Sequence, residues 1–227
     1  MNTNALVNNA DALININGGR VPTLELFLIL TVIALLPSIL IMMTSFTRIV
    51  IILSFTRNAM GIQQTPPNMV LVGIALFLTL FIMDPVVKDI NTNAYEPYIK
   101  EEINQEEALR RAAVPMKRFM LKQTETETLN LFEDLAKIER PENVEDLPMT
   151  VVIPSFMTSE LKRAFMAGFM IFLPFMLVDI IVSSTLMSMG MVMLPPSMIS
   201  LPFKLLLFVT VNGWELLFTN LVSSFHY

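Results

Sequence analysis

The sequence predicts an all-α membrane protein in which two apolar helical hairpins, about four hydrophobic helices in all, flank a small acidic α-helical domain on the extracytoplasmic side. Of its 227 residues, 54% are hydrophobic and only 15% are charged, against roughly 25% charged in an ordinary soluble domain. The charges are also segregated: 11 of the 15 Lys and Arg and 16 of the 20 Asp and Glu fall between Asp84 and Arg163. One water-facing segment therefore interrupts a largely apolar chain. The uncharged stretches on either side of it reach the ~20 residues that a helix needs to cross a bilayer.

Taken in order, residues 1–23 form an Asn-rich polar tail with no base before Arg20, unlike the charged start and apolar core of a signal peptide. Residues 24–83 form the first apolar hairpin. Leu26 to Thr47 is uncharged and interrupted by Pro37, Asn58 to Met83 is uncharged again, and Pro66-Pro67 makes Gly61 to Pro67 the turn between them. Residues 84–163 form the acidic domain. Gln105 to Leu121 and Thr124 to Ile138 carry helical signals there, with Leu129, Phe132 and Leu135 recurring at i, i+3 and i+6, and Thr124 with Glu127 resembling a capping box. Arg140 to Pro154 holds three prolines and reads as a connector. Residues 164–227 complete the second apolar hairpin, whose helices run from Ser155 to Val178 and from Leu201 to Val222.

The tip of that second hairpin is the most distinctive stretch of the chain. Met187, Met189, Met191 and Met193 alternate along it, and Pro195 and Pro196 follow at once. A spacing of two would put four flexible, polarizable thioethers on one side of an extended segment, a soft surface able to repack around differently shaped contents. Simple Met-rich packing in a chain with 18 methionines is the competing reading. Asp179 and Lys204 lie on either side of this tract in apolar surroundings, where an unpaired charge is expensive, and they are expected to form a buried ion pair. Otherwise Lys204 snorkels to a headgroup and Asp179 meets water. Glu160, Lys162 and Arg163 read as an interfacial or subunit-contact cluster. Arg48 and Arg57 are read as basic residues of the first hairpin turn. With no acid between Glu25 and Asp84, they place that turn in the cytoplasm and the acidic domain outside.

Enzyme chemistry finds no footing. Cysteine is absent and the single histidine, His226, stands next to the C-terminus. There is no phosphate-cradling glycine loop, no metal-ligand spacing and no nucleophile elbow, so neither a cofactor nor a metal is expected. An intramembrane aspartyl protease would need a companion for Asp179, and Glu215 is the only candidate. The acidic segment carries the whole formal net charge of −5, which makes nucleic acid a poor partner. A small-solute transporter would be expected to show internal repeats or polar groups at mid-membrane, and neither is visible. A purely structural scaffold without a pore is a further alternative.

Six strings, in order along the chain, carry a closer likeness: Met43-Thr-Ser-Phe-Thr-Arg-Ile-Val, Arg57-Asn-Ala-Met-Gly, Pro66-Pro-Asn, Gly73-Ile-Ala-Leu-Phe-Leu-Thr, Thr158-Ser-Glu-Leu-Lys and Leu201-Pro-Phe-Lys-Leu-Leu-Leu-Phe-Val. In these the sequence resembles the FliP family of type III secretion export-gate subunits, from about Leu24 to the C-terminus. The resemblance implies a non-enzymatic, pore-forming subunit of the bacterial inner membrane and flagellar basal body. About five copies would join FliQ, FliR and FlhB in contact with membrane lipid and conduct unfolded flagellar proteins, with energy supplied elsewhere. The equivalent subunit of a virulence injectisome is the alternative. The family's methionine gasket maps onto Met191, Val192 and Met193, so this chain departs from it at the middle position. It departs again at Asn212, where relatives usually have Asp, and at Met69, where flagellar members more often have Gln.

Overall fold

A helix that is apolar over most of its surface must be buried in protein or lipid, and this chain builds several of them. The computed structural model describes residues 14–16, 19–21, 23–62, 64–138, 141, 143–191 and 193–225; residues 1–13 of the polar tail, Val192 and His226 lie outside the described set. Two units are distinguishable, Met1–Ile41 and Met42–Tyr227.

In the first unit, strands β1 (Ile14–Ile16) and β2 (Gly19–Val21) pair antiparallel, Ile14 opposite Val21 and Ile16 opposite Gly19. The expected polar tail therefore includes a short ribbon. It leads to helix α1 (Thr23–Met42), which holds Pro37 in its interior.

The second unit begins with a break that the hydropathy reading did not place. The apolar run expected to continue to Thr47 ends at Met42, and helix α2 (Phe46–Ala59) starts afresh after Met43, Thr44 and Ser45. Small hydroxyl residues compete with helical hydrogen bonding, and here the Thr44 hydroxyl accepts from the Phe46 N–H at 3.4 Å. Helix α2 is thus a separate element. Its last turn leads through Gly61, at φ +80°, to helix α3 (Asn68–Ile90). The Arg57 guanidinium pins this turn by donating to the Pro66 carbonyl at 3.2 Å and to Asn68 Oδ1 at 2.6 Å.

Helix α3 passes straight through Asp84 and Pro85, continues as a five-residue π-helical turn (Asn91–Tyr95), and ends in the short helix α4 (Glu96–Ile99). The first charges therefore mark no element boundary. Helices α5 (Gln105–Gln123) and α6 (Thr126–Ala136) follow. The expected capping box is not formed: the Thr124 hydroxyl donates back to the Met120 carbonyl at 2.7 Å, and the Glu125 N–H finds Ser159 Oγ at 3.0 Å. Tertiary contact has replaced the local cap.

Helix α7 (Met149–Ser188) is the backbone of the fold at 40 residues. It absorbs Pro154, taken from sequence as part of a connector, and Pro174 as well. At 1.5 Å per residue it is roughly 60 Å long, about twice the hydrocarbon thickness of a bilayer. Its first half packs on α2, α5 and α6, and its second half packs on α8 (Pro196–Thr210). The last helix, α9 (Gly213–Ser223), is bent from α8 by 61° at left-handed Asn212, so the single fourth helix expected from hydropathy is a broken pair. The elbow is tightly packed. The Phe208 ring meets Trp214 edge-on at 5.2 Å, and a Cβ on Gly213 would come within 2.3 Å of it.

Among the described residues, Asn68–Ile99 and Met149–Ser188 are long and apolar enough to cross a membrane, and α8 with α9 makes a third such span if the bent pair is counted as one. The main core joins Ile49, Ile52 and Leu53 of α2, Leu71, Ala75 and Ile82 of α3, and Phe119 and Met120 of α5 to Val152, Phe156 and Ala164 of α7. Polar and apolar thirds of the sequence thus share one interior.

Helices α2 and α7 come into close contact where Gly168 faces Phe55. A Cβ at this glycine would lie 2.6 Å from the Phe55 ring. Gly to Ala normally favours a helix by about 1 kcal/mol, but an overpacked core contact costs about 1–3 kcal/mol. Gly168→Ala is therefore expected to lower the thermal unfolding midpoint in detergent, and Phe55→Leu in the same chain to restore most of it. A midpoint raised by Gly168→Ala alone would show that the contact is loose.

Candidate functional site: a methionine tip on a double ion-pair frame

Helix α7 ends in a chain reversal that the backbone itself specifies. The Gly190 N–H donates to the Met187 carbonyl and the Met191 N–H to the Leu186 carbonyl, at 3.1 and 3.0 Å. With Gly190 at φ +76° this is a Schellman cap, in which the left-handed position strongly favours glycine. The four methionines are thus not one extended run. Met187 belongs to the last helical turn, Met189 caps it, and Met191 and Met193 lie beyond the reversal. All four are exposed, Met193 to 97%. The chain then enters α8 at Pro196, a position where a helix needs no N–H.

Below the tip, Asp179 and Lys204 meet. Lys204 Nζ donates to Asp179 Oδ2 at 2.6 Å, and Ser200 Oγ donates to Oδ1 at 2.6 Å. Lys204 is only 8% exposed at its side chain, so it does not snorkel; Asp179 is 37% exposed. Asp179 lies well inside α7 rather than at the end of a helix. Lys204 Nζ also donates to the Ala59 carbonyl at 3.3 Å, in the last turn of α2. A cation there satisfies a helix C-terminal carbonyl and complements the negative end of the helix dipole. Around this junction Ala59 and Met60 pack with Phe175 and Phe208 in a small apolar cluster.

The second ionic feature joins residues that sequence reading kept apart. Arg48 was expected in a hairpin turn. It lies in the first turn of α2, 2% exposed, and forms a two-pronged salt bridge with fully buried Glu160 of α7: Nε to Oε2 at 2.9 Å, with Nη2 on Oε1. Its remaining nitrogen, Nη1, donates to Ser224 Oγ at 3.0 Å and to the Ser224 carbonyl at 3.2 Å. The guanidinium also stands 3.9 Å from the Phe225 ring centroid. Arg48 thereby ties α2, α7 and the chain end after α9 together. Glu160 belongs to this core pair and not to an exposed cluster with its neighbours: Lys162 instead pairs with Glu125 at 2.6 Å, while Arg163 stands 3.8 Å from the same carboxylate. Sequence offered one signal for the pair, a base and an acid on two largely apolar helices, each requiring a partner. The 112-residue separation hid which partner.

Between α7 and the α8–α9 elbow runs an open apolar groove of about 780 Å³, floored by Ile52 and Thr56 of α2 and walled by Met166 and Met170 opposite Leu216. No group of three or more His, Cys, Asp or Glu able to hold a metal is present among the described residues. The arrangement is mechanical: two ionic knots hold a long helix whose end presents thioethers.

Each knot makes a separable prediction. Stranding one member of a buried pair costs about 3–5 kcal/mol, whereas replacing both with apolar groups is often mild. Arg48→Met or Glu160→Gln alone should strongly reduce the amount of folded protein recovered in detergent, and Arg48→Met with Glu160→Leu should recover much of it. For the second pair, Asp179→Ala and Lys204→Ala should each impair assembly. A charge-swapped double mutant should recover only part of the loss, because an acid at position 204 would face the Ala59 carbonyl. Normal folding of all the single variants would remove both knots from the frame.

A FliP family profile matches residues 29–221. The flagellar biosynthetic protein FliP of Bacillus subtilis is 53% identical over 203 residues, covering 89% of this chain and 92% of that protein. That of Aquifex aeolicus is 50% identical over 210 residues, covering 92% and 88%, and that of Pectobacterium carotovorum is 50% identical over 212 residues, covering 92% and 82%. Likeness of this extent shows that the chain belongs to the FliP family.

Proposed function

We propose that this protein is a pore-forming core subunit of the flagellar type III export gate, conducting unfolded flagellar proteins across the bacterial inner membrane for flagellum assembly and motility. The observation that carries the reading is the exposed methionine tip on a rigid Schellman cap at the end of a 40-residue helix. A lone chain gains nothing by presenting four thioethers to water. Several copies converging on an axis would bury them against one another and form a deformable seal. Methionine suits that task because it changes rotamer without leaving a void, whereas stiff β-branched side chains fit one shape. The apolar groove beside α7 supports the same reading, since an apolar channel between helices is a surface for a neighbouring subunit. The partners are further copies of the chain, about five, together with FliQ, FliR and FlhB.

The same proposal puts the acidic segment on the extracytoplasmic side. Burial of Arg48 against Glu160 takes it out of the positive-inside count, so Arg57 alone carries that assignment at the α2–α3 turn. The length of α7 fits this arrangement, because only about half of it is needed to cross lipid and the rest is clothed by α2, α5 and α6.

The chain has no native cysteine, so single cysteines report cleanly. An impermeant maleimide should label Glu102→Cys with the inner membrane intact and Asn58→Cys only after the membrane is breached; the reverse order would overturn the topology. Replacing Met191 and Met193 by Ala should leave assembly intact yet raise ion leakage and salt sensitivity, and replacement by Leu should leak less. Wild-type conductance in an intact Ala complex would remove the seal from this tract. Intact mass of the purified complex tests the partners: a solitary monomer would overturn the gate.

A further inference from the structure

We propose that Ser200 is a positioning residue whose hydroxyl orients Asp179, and that this fixes the pitch of the methionine-bearing hairpin against the end of α2. The inference deepens the gasket reading and rests on it for its purpose, though not for its test. Ser200 and Lys204 stand one helical turn apart on the same face of α8, and they grip the two oxygens of a single carboxylate, each at 2.6 Å. Ser200 is fully buried. Its hydroxyl has one proton to give and two acceptors in reach, Asp179 Oδ1 and the Ser197 carbonyl at 3.3 Å. The shorter, charge-assisted bond to the carboxylate takes the proton.

Lys204 then faces two acceptors, Asp179 Oδ2 on α7 and the Ala59 carbonyl on α2. The ammonium reaches both only while the carboxylate is held in one rotamer. An aspartate has two side-chain torsions, and with its side chain 37% exposed this one has solvent to turn toward. Without the Ser200 donor, Asp179 would rotate, Lys204 would follow or lose one acceptor, and the contact between the hairpin base and α2 would loosen. Ser188 lies nine residues beyond Asp179, a lever of roughly 14 Å. A tilt of about 10° at the junction moves the end of that lever by roughly 2 Å, comparable with the spacing that a methionine seal must hold.

Spin labels at Asn58→Cys and Ser188→Cys, both exposed positions, report this pitch by pulsed electron resonance. The purified complex would be spin-diluted with unlabelled wild-type copies so that each assembly carries one labelled chain. The wild type should give a narrow distance distribution. Ser200→Ala should shift or broaden it, Asp179→Ala should do so at least as much, and the double variant should go no further than Asp179→Ala because Ser200 acts through that residue. A control pair, Asn58→Cys with Glu127→Cys, should be unchanged in all of them. An unchanged 58–188 distribution in Ser200→Ala, additive broadening in the double variant, or broadening of the control pair would each overturn the positioning role. Conduction enters nowhere in this measurement. An unchanged distribution would leave the gasket reading standing, and failure of the methionine substitutions to alter conductance would leave the junction standing.

Discussion

Burial of the Arg48 guanidinium is the constraint on which the second unit depends. A cation this deep is tolerated only if its donors are answered, and here three residues from two distant segments surround it: Glu160 of α7, and Ser224 and Phe225 after α9. Chain segments far apart in sequence are locked into one register as a result. The Phe225 ring, held under the guanidinium, stacks on Phe119 of α5, and Phe119 in turn meets Phe156 one turn from Glu160 on α7. The ionic knot therefore sits inside an aromatic one.

The two knots divide labour along α7. The Arg48–Glu160 knot sets the half that is surrounded by the charged helices, and the Asp179–Lys204–Ala59 knot sets the half that leads to the tip. Both engage α2, one near its first turn and one at its last, so this 14-residue helix serves as the reference rod for a helix almost three times its length. A small residue lets the two helices close on each other: Gly168 admits the Phe55 ring.

Bends in this fold are made where packing can hold them. At the α8–α9 elbow, left-handed Asn212 and Cβ-less Gly213 let the chain turn by 61°, and the aromatic contact between Phe208 and Trp214 fixes the angle. At the tip, Gly190 performs the reversal, and none of the described residues would meet a Cβ placed there. The fold thus has two kinds of bend, a packed elbow and an open tip of flexible thioethers.

The sequence by itself determined what local composition and periodicity can express. It showed helical architecture, the segregation of charge, the turn before Pro66 and Pro67, the methionine-rich reversal and the need for partners at Asp179 and Lys204. Tertiary structure decided what depends on distant residues. Arg48 read as a turn residue because nothing within reach in sequence could neutralise it, and its partner stands 112 positions away. The boundaries drawn at Asp84 and Arg163 followed charge, but both residues lie inside continuous helices, since a helix propagates through charged residues wherever one face can pack. Thr124 looked like a helix cap until packing gave its hydroxyl the preceding helix's carbonyl and gave the next helix Ser159 instead. Local propensity sets the menu of elements; in this protein, the burial of a few charges in a crowded apolar interior chose their lengths and their register.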